Sequence, residues 1–226
     1  MMTSYLIFGV FALISWLIQN SLQSKFRRYS QIPVSNGMTG KQVAEKMLRD
    51  HGIYDVQVIS TDGQLTDHYN PANKTVNLSE GVYASNSVAA AAVAAHECGH
   101  AVQHATAYAP LALRSKLVPV VSFTSNWIQW VLLAGILMVR AFPGLLLFGI
   151  ILFAVTTLFT FITLPVEINA SQRALAWLNT SRITDESNYE PAKDALKTAA
   201  YTYVVAALGS LAQLIYYISI FNNRRS

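Results

Sequence analysis

The stretch Val88-Ala89-Ala90-Ala91-Ala92-Val93-Ala94-Ala95-His96-Glu97-Cys98-Gly99-His100 decides the reading of this chain. Its alanine-rich first half favours helix. It ends in H-E-x-x-H, and on a helix positions i and i+4 share a face. His96 and His100 can therefore send two imidazoles to one Zn²⁺. Glu97 stands beside such a metal and not on it, where it can take a proton from an attacking water and later deliver it to a leaving amine. Cys98 falls about 200° around the helix from His96, on the far side. Gly99 has no side chain and lets another backbone pass close to the metal. A chance match of two helical histidines and a surface glutamate is the bland alternative. The helical context required by the mechanism argues against it. A third ligand has to come from elsewhere in the chain.

Composition sets the frame for that search. Of 226 residues, 53% are hydrophobic and only 12% charged, about half the share usual in soluble proteins. The mean hydropathy is +0.33. The deficit of charge lies in long uncharged runs, so the expected fold class is a mainly α integral membrane protein. Four transmembrane helices are expected, with a small zincin-like α+β catalytic domain containing a short β-sheet. The single cysteine excludes an intramolecular disulfide and a cysteine zinc cluster. The net charge of +4 is no sign of nucleic-acid binding, because the basic residues flank apolar runs, as topology signals do.

Five segments follow along the chain. Residues 1–24 carry no charged side chain and read as an N-terminal transmembrane anchor. A cleaved signal peptide is the rival, but it lacks a basic start and a small-residue cleavage site. Residues 25–116 read as the catalytic domain. Lys25, Arg27 and Arg28 open it and put this end of the anchor in the cytoplasm. Thr39-Gly40-Lys41-Gln42 is a capping box, Val43, Ala44, Met47 and Leu48 form an apolar face, and Gly52 closes that helix. Short strands are expected over 53–60, 65–69 and 74–78, beside the histidine helix over 85–107. That helix is uncharged from 81 to 96 but rich in alanine, which predicts burial in protein or near the interface rather than a lipid-facing span. An exposed edge strand next to it can hold a substrate extended, or serve structure alone.

Residues 117–166 read as a transmembrane hairpin turning at Arg140-Ala141-Phe142-Pro143-Gly144. Residues 167–197 hold two polar-faced helices, the first set off from the hairpin by a break at Pro165. Residues 198–226 form a last transmembrane helix and tail. Glu167 is the first charged residue after the hairpin, and a carboxylate on a second helix downstream of H-E-x-x-H is the usual third ligand of glutamate-type zincins. His96, His100 and Glu167 are thus the candidate ligands. Nine basic residues (Lys25, Arg27, Arg28, Arg114, Lys116, Arg173, Arg182, Lys193 and Lys197) flank the expected cytoplasmic ends. Three, Arg140, Arg224 and Arg225, lie on the outer side, the last two against the positive-inside trend.

In combination, these blocks resemble a known family. Ala95 to His104, Asp67-His68-Tyr69-Asn70-Pro71, Val76-Asn77-Leu78-Ser79, Leu164-Pro165-Val166-Glu167 and Ala192 to Tyr203 are similar to the YugP-like bacterial neutral zinc metallopeptidases. That family is similar in layout to the HtpX-type and CAAX-prenyl-protease-type membrane peptidases. The resemblance implies one catalytic Zn²⁺ on His96, His100 and Glu167, with Glu97 as base, facing the cytoplasm of a bacterial plasma membrane. Where HtpX-type enzymes carry an acid shortly after the ligand glutamate, this chain has Asn169 and Ser171.

The expected activity is hydrolysis of peptide bonds in unfolded or membrane proteins. Two alternatives are an intramembrane site-2-type protease, for which a Leu-Asp-Gly stretch is missing, and a zinc-stabilised membrane scaffold, which has no use for Glu97. An oxyanion donor is also needed, and His68, Tyr69, His104 and Arg173 are candidates. Arg173 is favoured by its place on the Glu167 helix, although residues 167 and 173 lie about 600° apart on it. The expected partners are the lipid bilayer and a peptide or protein substrate. The sequence does not speak to oligomeric state.

Overall fold

The structure, a computed structural model, describes residues 2–225, and side chains for residues 9–223. It is mostly helical. Seven helices, α1 (Met2–Tyr29), α2 (Gly40–Asp50), α3 (Glu80–Tyr83), α4 (Val88–Ala105), α5 (Ala109–Leu137), α6 (Pro143–Thr180) and α7 (Tyr189–Arg225), accompany strands β1 (Gln57–Thr61), β2 (His68–Asn70) and β3 (Thr75–Ser79). The chain forms two compact units. One comprises residues 1–17, 112–165 and 202–226, the other 18–111 and 166–201.

The first unit is helical and apolar on its outside. Segments Ala109–Leu137, Pro143–Thr180 and Tyr189–Asn223 are long and apolar enough to cross a membrane. Phe123, Trp127, Trp130 and Leu137 are exposed, as lipid contact requires and water does not favour. Inside, Ile128, Leu132, Val139, Leu146 and Ile150 pack together. Gly135 allows this, since a Cβ there would meet the Leu146 Cα at 2.7 Å. The fourth expected span, over 1–24, falls within α1. Its first residues lie outside the described side chains, as do Arg224 and Arg225 of the tail.

The second unit contains the sheet, in the order β1-β3-β2. β3 is central and buried along its whole length. It pairs parallel with β1 (Gln57 opposite Thr75) and antiparallel with β2 (His68 opposite Asn77). The α2 capping box forms as expected, with Thr39 and Gln42 each bonding the other's backbone. Its C-terminus explains why β1 starts later than the expected 53. Gly52 adopts φ +70°, and the Ile53 N–H returns to the Leu48 carbonyl. Ile53 thus closes the helix in a Schellman turn and is buried against it. β2 is also shorter than expected, because Leu65 has φ 58°, incompatible with a strand. Asp67 fastens its start by accepting the backbone N–H of Ser79 at 2.7 Å.

Two expected helix boundaries are corrected. Pro165 does not break the chain: α6 runs through it from Pro143 to Thr180. Proline removes only the bond to the carbonyl four residues back, and in an apolar setting no water competes to open the helix. Likewise residues 182–197 and 198–223 do not form separate helices, because α7 continues from Tyr189 to Arg225. Pro191 lies in its first turn, where its missing N–H costs nothing.

Within the second unit α4 is the central element. Ser87 caps it by accepting the Ala90 N–H at 3.2 Å, which moves its start from the expected 85 to Val88. Ala89, Ala91, Ala92, Ala94 and Ala95 are fully buried, and α4 packs against α2, whose Val43, Ala44 and Met47 are also buried. Cys98 lies on this side, its thiol directed at the Ala44 carbonyl, and burial raises its pKa well above the usual value. On the opposite side, a Cβ on Gly99 would stand 2.7 Å from the Ala170 carbonyl oxygen and 3.1 Å from its Cα. Glycine is what lets α4 and α6 touch backbone to backbone here. Replacing it by alanine (Gly99→Ala) forces two packed backbones apart. It is expected to cost about 1–3 kcal/mol, read as a lowered midpoint of thermal unfolding in detergent.

Candidate metal centre

His96 and His100 stand one turn apart on α4, and Glu167 comes from α6, in the same unit. Glu167 Oε2 is 3.3 Å from His96 Nε2 and 3.5 Å from His100 Nε2. One ligand atom of each of the three residues lies within 4.8 Å of the others. The two imidazoles meet edge to face, their centroids 4.9 Å apart. His100 and Glu167 are buried and His96 nearly so. This tests the donor set against zinc directly. Ligands at 2.0–2.1 Å in tetrahedral directions stand about 3.3–3.4 Å apart, which matches the two carboxylate–imidazole separations. Two neutral nitrogens and one anionic oxygen are also a donor set that zinc takes readily.

Each imidazole is also gripped from behind. His96 Nδ1 lies 3.0 Å from Ser171 Oγ, and His100 Nδ1 lies 3.0 Å from Gln103 Oε1. Burial of His100 opposes the charged form, but its bond to Glu167 and the charge of Glu97 outweigh that. Its pKa stands above the usual value. Ser171 and Asn169 are neutral partners here, Ser171 of His96 and Asn169 of Gln103.

Glu97 is buried, and its Oε2 accepts the backbone N–H of Tyr69 at 3.0 Å. A strand residue thereby orients the carboxylate, and the edge of β2 that β3 leaves unpaired faces α4. The Tyr69 hydroxyl in turn lies 2.8 Å from His104 Nδ1, one turn beyond His100. His68 is exposed, with Nδ1 2.7 Å from its neighbour's carbonyl at Thr66. The Nε–H of Arg173 is committed to Asn169 Oδ1 at 2.8 Å, and its guanidinium stands 6.0 Å from the Tyr108 ring. Of the four candidate oxyanion donors, then, Tyr69 bonds Glu97 through its backbone N–H and His104 through its hydroxyl, and Arg173 and His68 bond elsewhere. Sequence reasoning missed Gln103, although H-E-x-x-H-x-x-Q puts it one turn past His100 on the same strip of helix.

A helix-borne pair of histidines, a carboxylate from a second helix and a buried glutamate beside them define a zinc peptidase class of site. The chain belongs to the neutral zinc metallopeptidase family: a sequence model of the family described as "Putative neutral zinc metallopeptidase" matches residues 4–222. It is similar to the protein named "Putative membrane protease YugP" of Bacillus subtilis (strain 168). The two are 42% identical over 212 residues, which cover 94% of this chain and 93% of that protein. No solved structure matches it. If Glu167 is the third ligand, Glu167→Ala will purify with far less zinc than the roughly one equivalent expected of the wild type. Elemental analysis of the two proteins measures this, and equal zinc content removes Glu167 from the ligand set.

Proposed function

We propose that this chain is a membrane-bound, zinc-dependent endopeptidase of glutamate-ligand type. On this reading His96, His100 and Glu167 hold one zinc ion and Glu97 is the general base. The observation that carries the reading is the convergence of both Nε2 atoms on Glu167 Oε2, with Glu97 held next to them by Tyr69.

Zinc in this position supplies Lewis-acid chemistry, polarising a peptide carbonyl and making water acidic enough to lose a proton near neutral pH. The protein does the rest. Tyr69 holds Oε2 of Glu97 and leaves Oε1 to receive the proton of the attacking water. Glu97 then carries that proton to the departing amine. The Tyr69 hydroxyl, 2.8 Å from His104 Nδ1, is our candidate donor to the developing oxyanion, on a residue whose backbone N–H holds Glu97. A peptide bond must reach a site buried beside α4 and β2, so unfolded or locally unfolded protein segments are the expected substrates.

Location follows from charge. The clustering of basic residues at the flanks of one set of helix ends supports a bacterial plasma-membrane protein with this site on the cytoplasmic side. Burial of α4 among α2, the sheet and α6 speaks against a site-2-type arrangement, in which the H-E-x-x-H helix would face lipid. A buried, oriented Glu97 speaks against a purely structural zinc. Glu97→Gln keeps the shape and the Tyr69 contact but cannot take a proton. It should retain zinc while losing at least about 10²-fold in the rate of cleaving an unfolded reporter protein in detergent. Undiminished cleavage by that variant removes the mechanism.

A further inference from the structure

Gln103 is the most completely buried polar side chain in the second unit, with no exposed area. Each of its polar atoms has a partner. Nε2 donates to the Val166 carbonyl at 2.8 Å and to Asn169 Oδ1 at 3.0 Å, and Oε1 stands 3.0 Å from His100 Nδ1. A backbone carbonyl can only accept, so the amide nitrogen must face Val166 and the amide oxygen must face His100. The orientation of the amide is thus dictated by its surroundings.

That orientation has a chemical consequence. An amide oxygen can only accept, so His100 Nδ1 must carry the proton, whether the ring is neutral or charged. The neutral ring then has its lone pair on Nε2, the atom that converges with His96 Nε2 on Glu167. The other tautomer would aim a proton into the donor cluster and block it. Ser171 does not impose the same choice on His96, since a hydroxyl both donates and accepts.

We propose that Gln103 is the positioning residue of the metal centre. It holds His100 in the tautomer that accepts a metal, and it ties that choice to the part of α6 that carries Glu167. The tie is made through Val166, the neighbour of Glu167, and through Asn169, whose Oδ1 also receives the Arg173 Nε–H. Asn169 Oδ1 thus accepts two donors, one from each helix. Arg173 acts in this chain of bonds as the anchor of Asn169. This inference rests on the reading of His96, His100 and Glu167 as zinc ligands.

The test uses the full-length protein in detergent, with ¹⁵N-labelled histidine, and zinc as the probe. The zinc-loaded wild type should show a His100 Nδ1–H resonance protected from exchange with water. Gln103→Met, similar in size but unable to accept, should lose that protection and bind zinc roughly 10–100-fold more weakly in competition with a chelator. Unchanged zinc affinity in Gln103→Met overturns the inference, as does a wild-type His100 protonated on Nε2 with the metal on Nδ1. The wild-type spectrum decides the matter even where the variant fails to fold. A wild type that takes up no zinc removes the metal centre itself, and a failure of that kind is distinct from a zinc site indifferent to Gln103.

Discussion

The candidate metal centre depends on how closely α4 and α6 approach. At Gly99 the two backbones touch, with the carbonyl of Ala170 filling the space a side chain would take. Donor atoms a little over 3 Å apart, as one zinc would need, are easier to bring together from helices in close contact. Small residues solve this on both sides. Ala95 and Gly99 on α4, and Ala170 and Ala174 on α6, are all buried. The histidines and Glu167 then bridge the remaining distance from just beside that contact.

Close packing of this kind leaves no water to satisfy polar groups, so each one must find a partner in the protein. The bonds from Gln103 to His100, Val166 and Asn169 meet that demand and also orient the donors. The same principle operates on the other flank of α4, where the backbone of β2 satisfies Glu97. A buried carboxylate without such a donor would be left unsatisfied. The sheet therefore reaches the site through β2, whose Tyr69 N–H holds Glu97.

Much of the fold was legible in the residues because its signals are local. Uncharged runs set out the long helices of the membrane, Thr39 and Gln42 marked a helix start, and Gly52 marked its end. Where local signals failed, the cause was a backbone or side-chain interaction not encoded in pattern. Ile53 read as strand but was recruited to close α2. Leu65 read as strand but sits in a left-handed conformation. Pro165 read as a break, yet α6 continues through it.

The site divides in the same way. Spacing alone determined His96, Glu97 and His100, because a helix of 3.6 residues per turn puts positions four apart on one face whatever surrounds it. Spacing also made Glu167 a candidate, being the first charge after a long apolar run. Only the tertiary structure decided that Glu167 meets both imidazoles, that Tyr69 rather than Arg173 bonds Glu97, and that Gln103 links His100 to the backbone beside Glu167. The contacts of Tyr69 with Glu97, of Gln103 with Val166 and of His96 with Glu167 join residues 28, 63 and 71 positions apart. No periodicity in one helix carries information about which turn of another helix will pack against it.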